Sequence, residues 1–279
     1  MSFTRKIGLV LGLLVMIGLS CLFYAVKIEP YRLRVNEYQL NAPASGKQQL
    51  KIVQFSDTHI KGDFTAKNLA KVVQKINEQE PDVVVFTGDL YDNYAKYNDD
   101  EQVIATLKQL KARPAKLAVW GNHDHGGGAV RAYQQVMEQA GFTVLQNEAY
   151  KLLTPKNKTV RFVGADDSLL SQADISAQTN QPADYKVLLS HEPDSVADIG
   201  QNYDLILSGH SHGGQIKIPL LPKINQQILA SSRLVTCYSA GMYAITPTTK
   251  LYVNTGIGTT RISARFGVIP EITVFYCYV

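Results

Sequence analysis

Five short runs of consecutive apolar residues recur along this chain, and each ends in an acid, an amide or a histidine. They are LKIVQFSD (50–57), DVVVFTGD (82–89), KLAVWGNHD (116–124), YKVLLSHEP (185–193) and YDLILSGHSH (203–212). Apolar residues on successive positions mark strands covered on both faces, as parallel strands are. Between the first runs lie segments of helical period. In 65–80 the apolar positions are Leu69, Val72, Val73 and Ile76, with Thr65 as a candidate N-cap and Pro81 beyond the end. Segments 100–113 and 129–141 read the same way, the latter closed by Gly141. Strands alternating with helices predict an α/β fold around a largely parallel sheet.

The flanks add to this frame. Residues 7–26 carry no charge over twenty positions, long enough to span a bilayer as a helix. No small-x-small cleavage site follows, and in GLSC before Cys21 a glycine, Gly18, stands where a lipoprotein box wants an aliphatic residue. An uncleaved anchor is the expectation. Residues 31–40 alternate like a strand, 41–47 are turn-rich, and from 215 onward the chain reads as mostly β. The resulting division is an anchor at 1–27, a connecting strand and linker at 28–48, and one domain at 49–279.

Charge and cysteines exclude several classes. Of the net charge of +4, Arg5 and Lys6 supply two, leaving 26 basic against 24 acidic residues elsewhere. That balance indicates no nucleic-acid binding. The three cysteines, Cys21, Cys237 and Cys277, form no C-x-x-C pair, so neither a thiolate zinc site nor a redox motif is indicated; Cys237 and Cys277 are read as buried thiols.

The strand-end residues are Asp57 and His59, Asp89, Asn122 and His123, His191, and His210 and His212. In open α/β sheets sites form at the carboxyl ends of strands, so residues spanning more than 150 positions can converge. Taken singly, D-T-H is explained equally by a capping Asp and a surface His, and T-G-D by a turn. G-H-S-H-G-G is harder to explain by packing. On an extended backbone His210 and His212 would share one side of the chain, about 6.6 Å apart at Cα. His125 falls in a loop and is given no role.

The series D57-T-H59, G88-D89-x-x-D92, G121-N122-H123-D124, H191 and G209-H210-S211-H212 resembles the calcineurin-like metallophosphoesterases, with all five blocks in order. The runs GHSHGGQIKIP and YVNTGIGTTRISARFG further resemble its bacterial membrane-anchored, YaeI/YkuE-like phosphodiesterase branch. The resemblance implies a four-layer αββα sandwich of two mixed β-sheets, here preceded by one N-terminal transmembrane helix. It also implies a site for two divalent ions of the Mn, Fe, Zn or Co type, which mixed oxygen and imidazole donors suit. Asp57, His59 and His212 would hold one ion, Asn122, His191 and His210 the other, and Asp89 would bridge them. A metal-bridging hydroxide would attack phosphorus in line. His123 would face the leaving oxygen, oriented by the carboxylate of Asp92. Asn93 stands where the phosphatase branch often has Arg, which argues against protein-phosphatase activity.

The function expected is thus a metal-dependent phosphodiesterase. The alternative is a UDP-2,3-diacylglucosamine pyrophosphatase-type hydrolase of lipid A synthesis. A non-catalytic metal-binding module is disfavoured, because metal retention alone would not need His123 and Asp92. The expected substrate is a phosphoester, lipid-linked or envelope-associated, since the anchor sets the site near a membrane. Arg5 and Lys6 before the span favour a cytoplasmic N-terminus, against Lys27, Arg32 and Arg34 after it. That places a single-pass protein in the inner membrane with its domain outside the cytoplasm.

Overall fold

Each consecutive apolar run folds as a strand. They are β2 (Gln49–Phe55), β3 (Val83–Phe86), β4 (Ala115–Val119), β8 (Tyr185–Leu189) and β9 (Leu205–Ser208), and every residue of β3 and β9 is buried. The structure is a computed structural model and describes residues 3–40, 48–195, 202–225 and 237–279. The connection expected at 41–47 lies outside these residues.

The strands form two mixed six-stranded sheets. With β1 (Arg34–Gln39), β5 (Thr143–Leu145) and β12 (Glu271–Tyr278), the first runs β1-β12-β2-β3-β4-β5, antiparallel only between β12 and β2. With β6 (Glu148–Leu153), β7 (Thr159–Gly164), β10 (Gly241–Ala244) and β11 (Lys250–Val253), the second runs β10-β11-β9-β8-β7-β6, antiparallel at its two edge pairs. Ile52, Val85, Leu117 and Phe275 of the first sheet meet Phe162, Val187, Leu189 and Leu207 of the second in one buried layer. The opposite face of the first sheet, with Val53, Phe55, Val84 and Phe86, is covered by α2 (Ala66–Asn77), α3 (Asp100–Leu107) and α5 (Tyr133–Gln139). The outer face of the second sheet, with Val163, Leu188 and Ile206, is covered by Ile175, Tyr203 and neighbouring turns beside α6 (Ser176–Thr179).

Local signals set most boundaries. In α2 the buried residues include Leu69, Val72, Val73 and Ile76, and Thr65 caps its start in a reciprocal box with Asn68. Gly141 takes a left-handed φ of 87° after α5. Where the reading fails, tertiary bonds win. α3 stops at Leu107, short of 113, because the Asn77 amide captures the Gln109 carbonyl (2.8 Å) and the Lys111 N–H (2.7 Å). Residues 122–124, expected as the end of a strand, coil with His125 as α4 (Asn122–His125), since the Asp124 carboxylate folds back on the Gly121 N–H at 2.9 Å. The cysteine expectation is corrected at one position: Cys277 is buried, but Cys237 is exposed.

Helix α1 (Phe3–Phe23) buries none of its side chains. Its 21 residues span about 31 Å at 1.5 Å per residue, matching a bilayer core of about 30 Å. Within the helical stretch Phe3–Tyr31 an 18-residue window reaches a mean hydropathy of 2.6, so the helix is long and apolar enough to cross a membrane. A π turn (Tyr24–Ile28) and a 3₁₀ turn (Glu29–Tyr31) lead from it into the domain, where Glu29 is buried and accepts the Val268 N–H.

Candidate metal centre

The site forms where strands of both sheets end. β2 stops at Phe55, and Asp57 and His59 follow on a backbone pinned by the Asp57 N–H to the Gly88 carbonyl (2.9 Å). Two sheets meet here through Gln54, whose amide donates to Thr87 of one and to the Ser208 carbonyl of the other. Asp57, His59, Asp89, His210 and His212 all have positive φ, between 42° and 68°. Non-glycine residues occupy this region at a cost of order 1–3 kcal/mol, and here five of them surround one spot. That finding corrects the extended geometry expected of His210 and His212. β9 ends at Ser208, and each histidine then sits in a left-handed turn that swings its ring to a different neighbour.

The donor atoms fall into two linked groups. His59 Nε2 lies 2.9 Å from His212 Nε2 and 3.9 Å from Asp57 Oδ1, and His212 Nε2 lies 3.3 Å from Asp57 Oδ1. In the second group His210 Nδ1 lies 3.0 Å from Asn122 Oδ1 and 3.3 Å from His191 Nε2. Asp89 Oδ2 sits between the groups, 3.4 Å from His59 Nε2 and 3.2 Å from His191 Nε2. Ligands bound at about 2.0–2.2 Å to one ion stand about 3.0–3.5 Å from each other. The observed spacings, 2.9 to 3.9 Å, lie close to that range, so these clustered side chains could hold divalent metal. All seven side chains expected from sequence converge here.

Electrostatics suit that use at His59, His210 and His212. Burial lowers the pKa of His59; burial and His191 lower His210 to about 3; burial, His59 and Arg265 hold His212 well below the usual range. Neutral imidazoles keep a lone pair for a cation. Burial would raise Asp89, but His191, His123 and His59 outweigh it and hold the carboxyl well below the ordinary range. Burial likewise opposes protonation of His191 and His123, yet Asp89 and the other nearby acids raise both. The His191 Nδ1–H donates to the Thr87 carbonyl at 2.7 Å, leaving Nε2 toward Asp89 and His210.

His123 and Asp92 lie beside the first group, but not in the arrangement expected. His123 Nδ1 bonds the Asp92 main-chain carbonyl at 2.6 Å, while the Asp92 carboxylate lies 3.3 Å from His59 Nδ1 and 3.8 Å from Lys61 Nζ. His125 stays outside, stacked on Trp120 and bonded to Asp166 at 2.8 Å.

Three residues were not singled out by sequence. The Asp124 carboxylate accepts the N–H groups of Asp89, Leu90 and Gly121, fixing the central carboxylate and α4 together. Glu192 groups with His191 and His210 and accepts from Ser168. Arg265, buried, donates to the Thr255 and Gly258 carbonyls and reaches within 3.3 Å of His212 Nδ1. Their signals, the Asp of GNHD, the Glu of SHEP and the Arg of ARFG, stand in the sequence, but nothing in them tells a supporting residue from a surface one.

Comparison with known proteins agrees with this geometry. The family profile for calcineurin-like phosphoesterases matches residues 50–214. The chain is 38% identical to the uncharacterized metallophosphoesterase YkuE of Bacillus subtilis, over 90% of this chain and 88% of that protein. It is 29% identical to an uncharacterized metallophosphoesterase of Aquifex aeolicus, over 88% of this chain and 92% of that protein. A transmembrane protein with metallophosphoesterase domain from Bos taurus is 28% identical over 97% of this chain and 63% of its own length.

Proposed function

This chain belongs to the calcineurin-like phosphoesterase family, and from that premise we propose that it is a membrane-anchored phosphodiesterase working with two divalent ions. The observation that carries the reading is the place of Asp89 Oδ2, within 3.4 Å of a nitrogen in each donor group. In this reading Asp57, His59 and His212 would hold one ion and Asn122, His191 and His210 the other, with Asp89 shared between them. Ions of the Mn, Fe, Zn or Co type supply a nucleophile at neutral pH and offset charge on the phosphoryl oxygens.

The remaining work falls to the chain. Asn122 donates an oxygen without adding negative charge, so the cleft stays attractive to an anion. His123, with Nδ1 tied to the Asp92 carbonyl, keeps Nε2 free to carry a proton to the leaving oxygen. Asn93 leaves one cation fewer beside Asp92, which favours a singly charged diester over a doubly charged monoester. Residues 1–27 anchor the protein, 28–48 connect, and 49–279 hydrolyse. Against Lys27, Arg32 and Arg34 after the span, Arg5 and Lys6 before it favour a domain outside the cytoplasm, where envelope phosphodiesters and lipid head groups are within reach.

The test is hydrolysis by the full chain in detergent. Chelation abolishes turnover of bis(p-nitrophenyl) phosphate, and restoring Mn or Zn recovers it, with the diester preferred over p-nitrophenyl phosphate. His123→Ala lowers kcat by about 10²–10⁴-fold for alkyl leaving groups, and by less for p-nitrophenolate, which leaves without a proton. Undiminished turnover in metal-free protein overturns the reading. Preference for a nucleotide-linked lipid pyrophosphate over both esters replaces it with the pyrophosphatase alternative.

A further inference from the structure

Next to the metal cluster, the chain presents large aliphatic side chains to solvent on a loop that is itself well fixed. Leu220 is 96% exposed, Leu221 43% and Ile224 41%. The loop is closed at its base by Asn225, whose amide bonds both the N–H (2.7 Å) and the carbonyl (2.9 Å) of Ile218. A folded loop that holds three aliphatics outward leaves apolar area uncovered, and such patches mark contact surfaces. Exposed Lys217 and Lys223 flank them, and residues 212–225 contain no acid.

The neighbours of this loop say what it meets. Lys217 donates its N–H to the Phe266 carbonyl, and Ile216 bridges Phe266. Phe266 in turn lies edge-on to Tyr24, with centroids 6.2 Å apart, and the Arg265 N–H bonds the Ala25 carbonyl at 2.9 Å. Tyr24 and Ala25 are the first residues after α1. A cavity of about 340 Å³ is lined jointly by Tyr24 and Glu29 of that exit and by Ile216, Lys217 and Asn225 of the loop. A fourth exposed aliphatic, Ile262 at 51%, follows the exposed Arg261, and the Gln215 amide ties that segment to the loop through the Thr260 and Ile262 carbonyls.

We propose that the 216–225 loop, with Arg261 and Ile262 beside it, is a second membrane contact, inserting Leu220, Leu221 and Ile224 into the anionic bilayer that α1 enters. This rests on the reading of α1 as a membrane anchor. Apolar tips flanked by cations and lacking acids suit an interface of apolar chains and anionic head groups. Continuity with the helix exit puts the loop at the same surface. Because His212 lies four residues before Ile216 in the same loop, the docking also holds the metal cluster at the bilayer surface.

The test uses the full chain reconstituted into phosphatidylcholine–phosphatidylglycerol vesicles with acyl chains brominated near the head groups. Leu220→Trp and, separately, Ile224→Trp report on the loop, Leu153→Trp on the edge strand β6 serves as control, and the native Trp120 is buried. Vesicle flotation is scored first. Protein that fails to float refutes the anchor, and this inference with it. In floating protein, both loop variants lose the larger part of their added emission to bromine while Leu153→Trp loses none. Combining Leu220→Trp with Lys217→Glu and Lys223→Glu weakens the quenching. Floating protein whose loop tryptophans match the control overturns the proposal. So does blue-shifted emission without bromine quenching, which means that a second copy or another part of the chain covers the loop.

Discussion

Asp92 presents different atoms to two histidines, its carbonyl to His123 and its carboxylate to His59. The two contacts separate its roles. Asp92→Asn leaves the main-chain hold on His123 in place but removes the charge opposite His59 Nδ1. Loss of such an outer partner weakens metal binding by about 10–100-fold. Metal titration of the variant is expected to shift by that order, with the dependence of kcat on leaving-group pKa unchanged. A steeper leaving-group dependence at unchanged metal affinity would instead return the carboxylate to His123. The motif G-D-x-x-D made Asp92 visible in the sequence. Which of its oxygens faces which ring is decided by the turn after Asp89, and no spacing rule encodes that.

The strand ends explain how short elements can aim so many side chains inward. The strands finish before the candidate ligands begin: β9 at Ser208, β4 at Val119, β2 at Phe55. Six of the seven candidate ligands, all but His191, then stand on left-handed or helical turns that a period-two reading cannot foresee. Close backbone approach makes this possible, and Gly209 shows its limit. A Cβ there would enter the contact shells of Ser56 Oγ and Asp57 Oδ2, while the next residue, His210, donates its N–H to both Asp57 oxygens at 3.1 Å. Gly209→Ala is expected to cost about 1–3 kcal/mol by overpacking, read from denaturant unfolding. It also displaces Asp57, so metal content drops in the protein that remains folded. Full occupancy with unchanged stability would show that the strand ends tolerate a wider gap.

At the scale of the molecule, an apolar inter-sheet layer holds two sheets whose ends share one site, and a helix fit to span a membrane enters through the Glu29 turn. The proposed exported orientation makes a prediction of its own. Protease added to intact spheroplasts is expected to digest the domain. Full protection there, followed by digestion on lysis, would put the domain in the cytoplasm, where nucleotide-linked lipid precursors are made, and would bring the pyrophosphatase reading forward.

The sequence by itself determined the alternation of strands and helices, the apolar N-terminal helix, and which acids, amides and histidines stand at the run ends, because these are written in local periodicity and in residue type; the roles of the seven candidate donors, His123 and Asp92 come from the family resemblance. Only the tertiary structure decided how they meet. His59 and His212 touch across 153 positions, Asp124 braces Asp89 from another strand end, and Arg265 stands behind His212. Those contacts depend on where one sheet lies against the other and on the sign of φ in single turn residues. Both are set by long-range packing and hydrogen bonds, which leave no periodic trace along the chain.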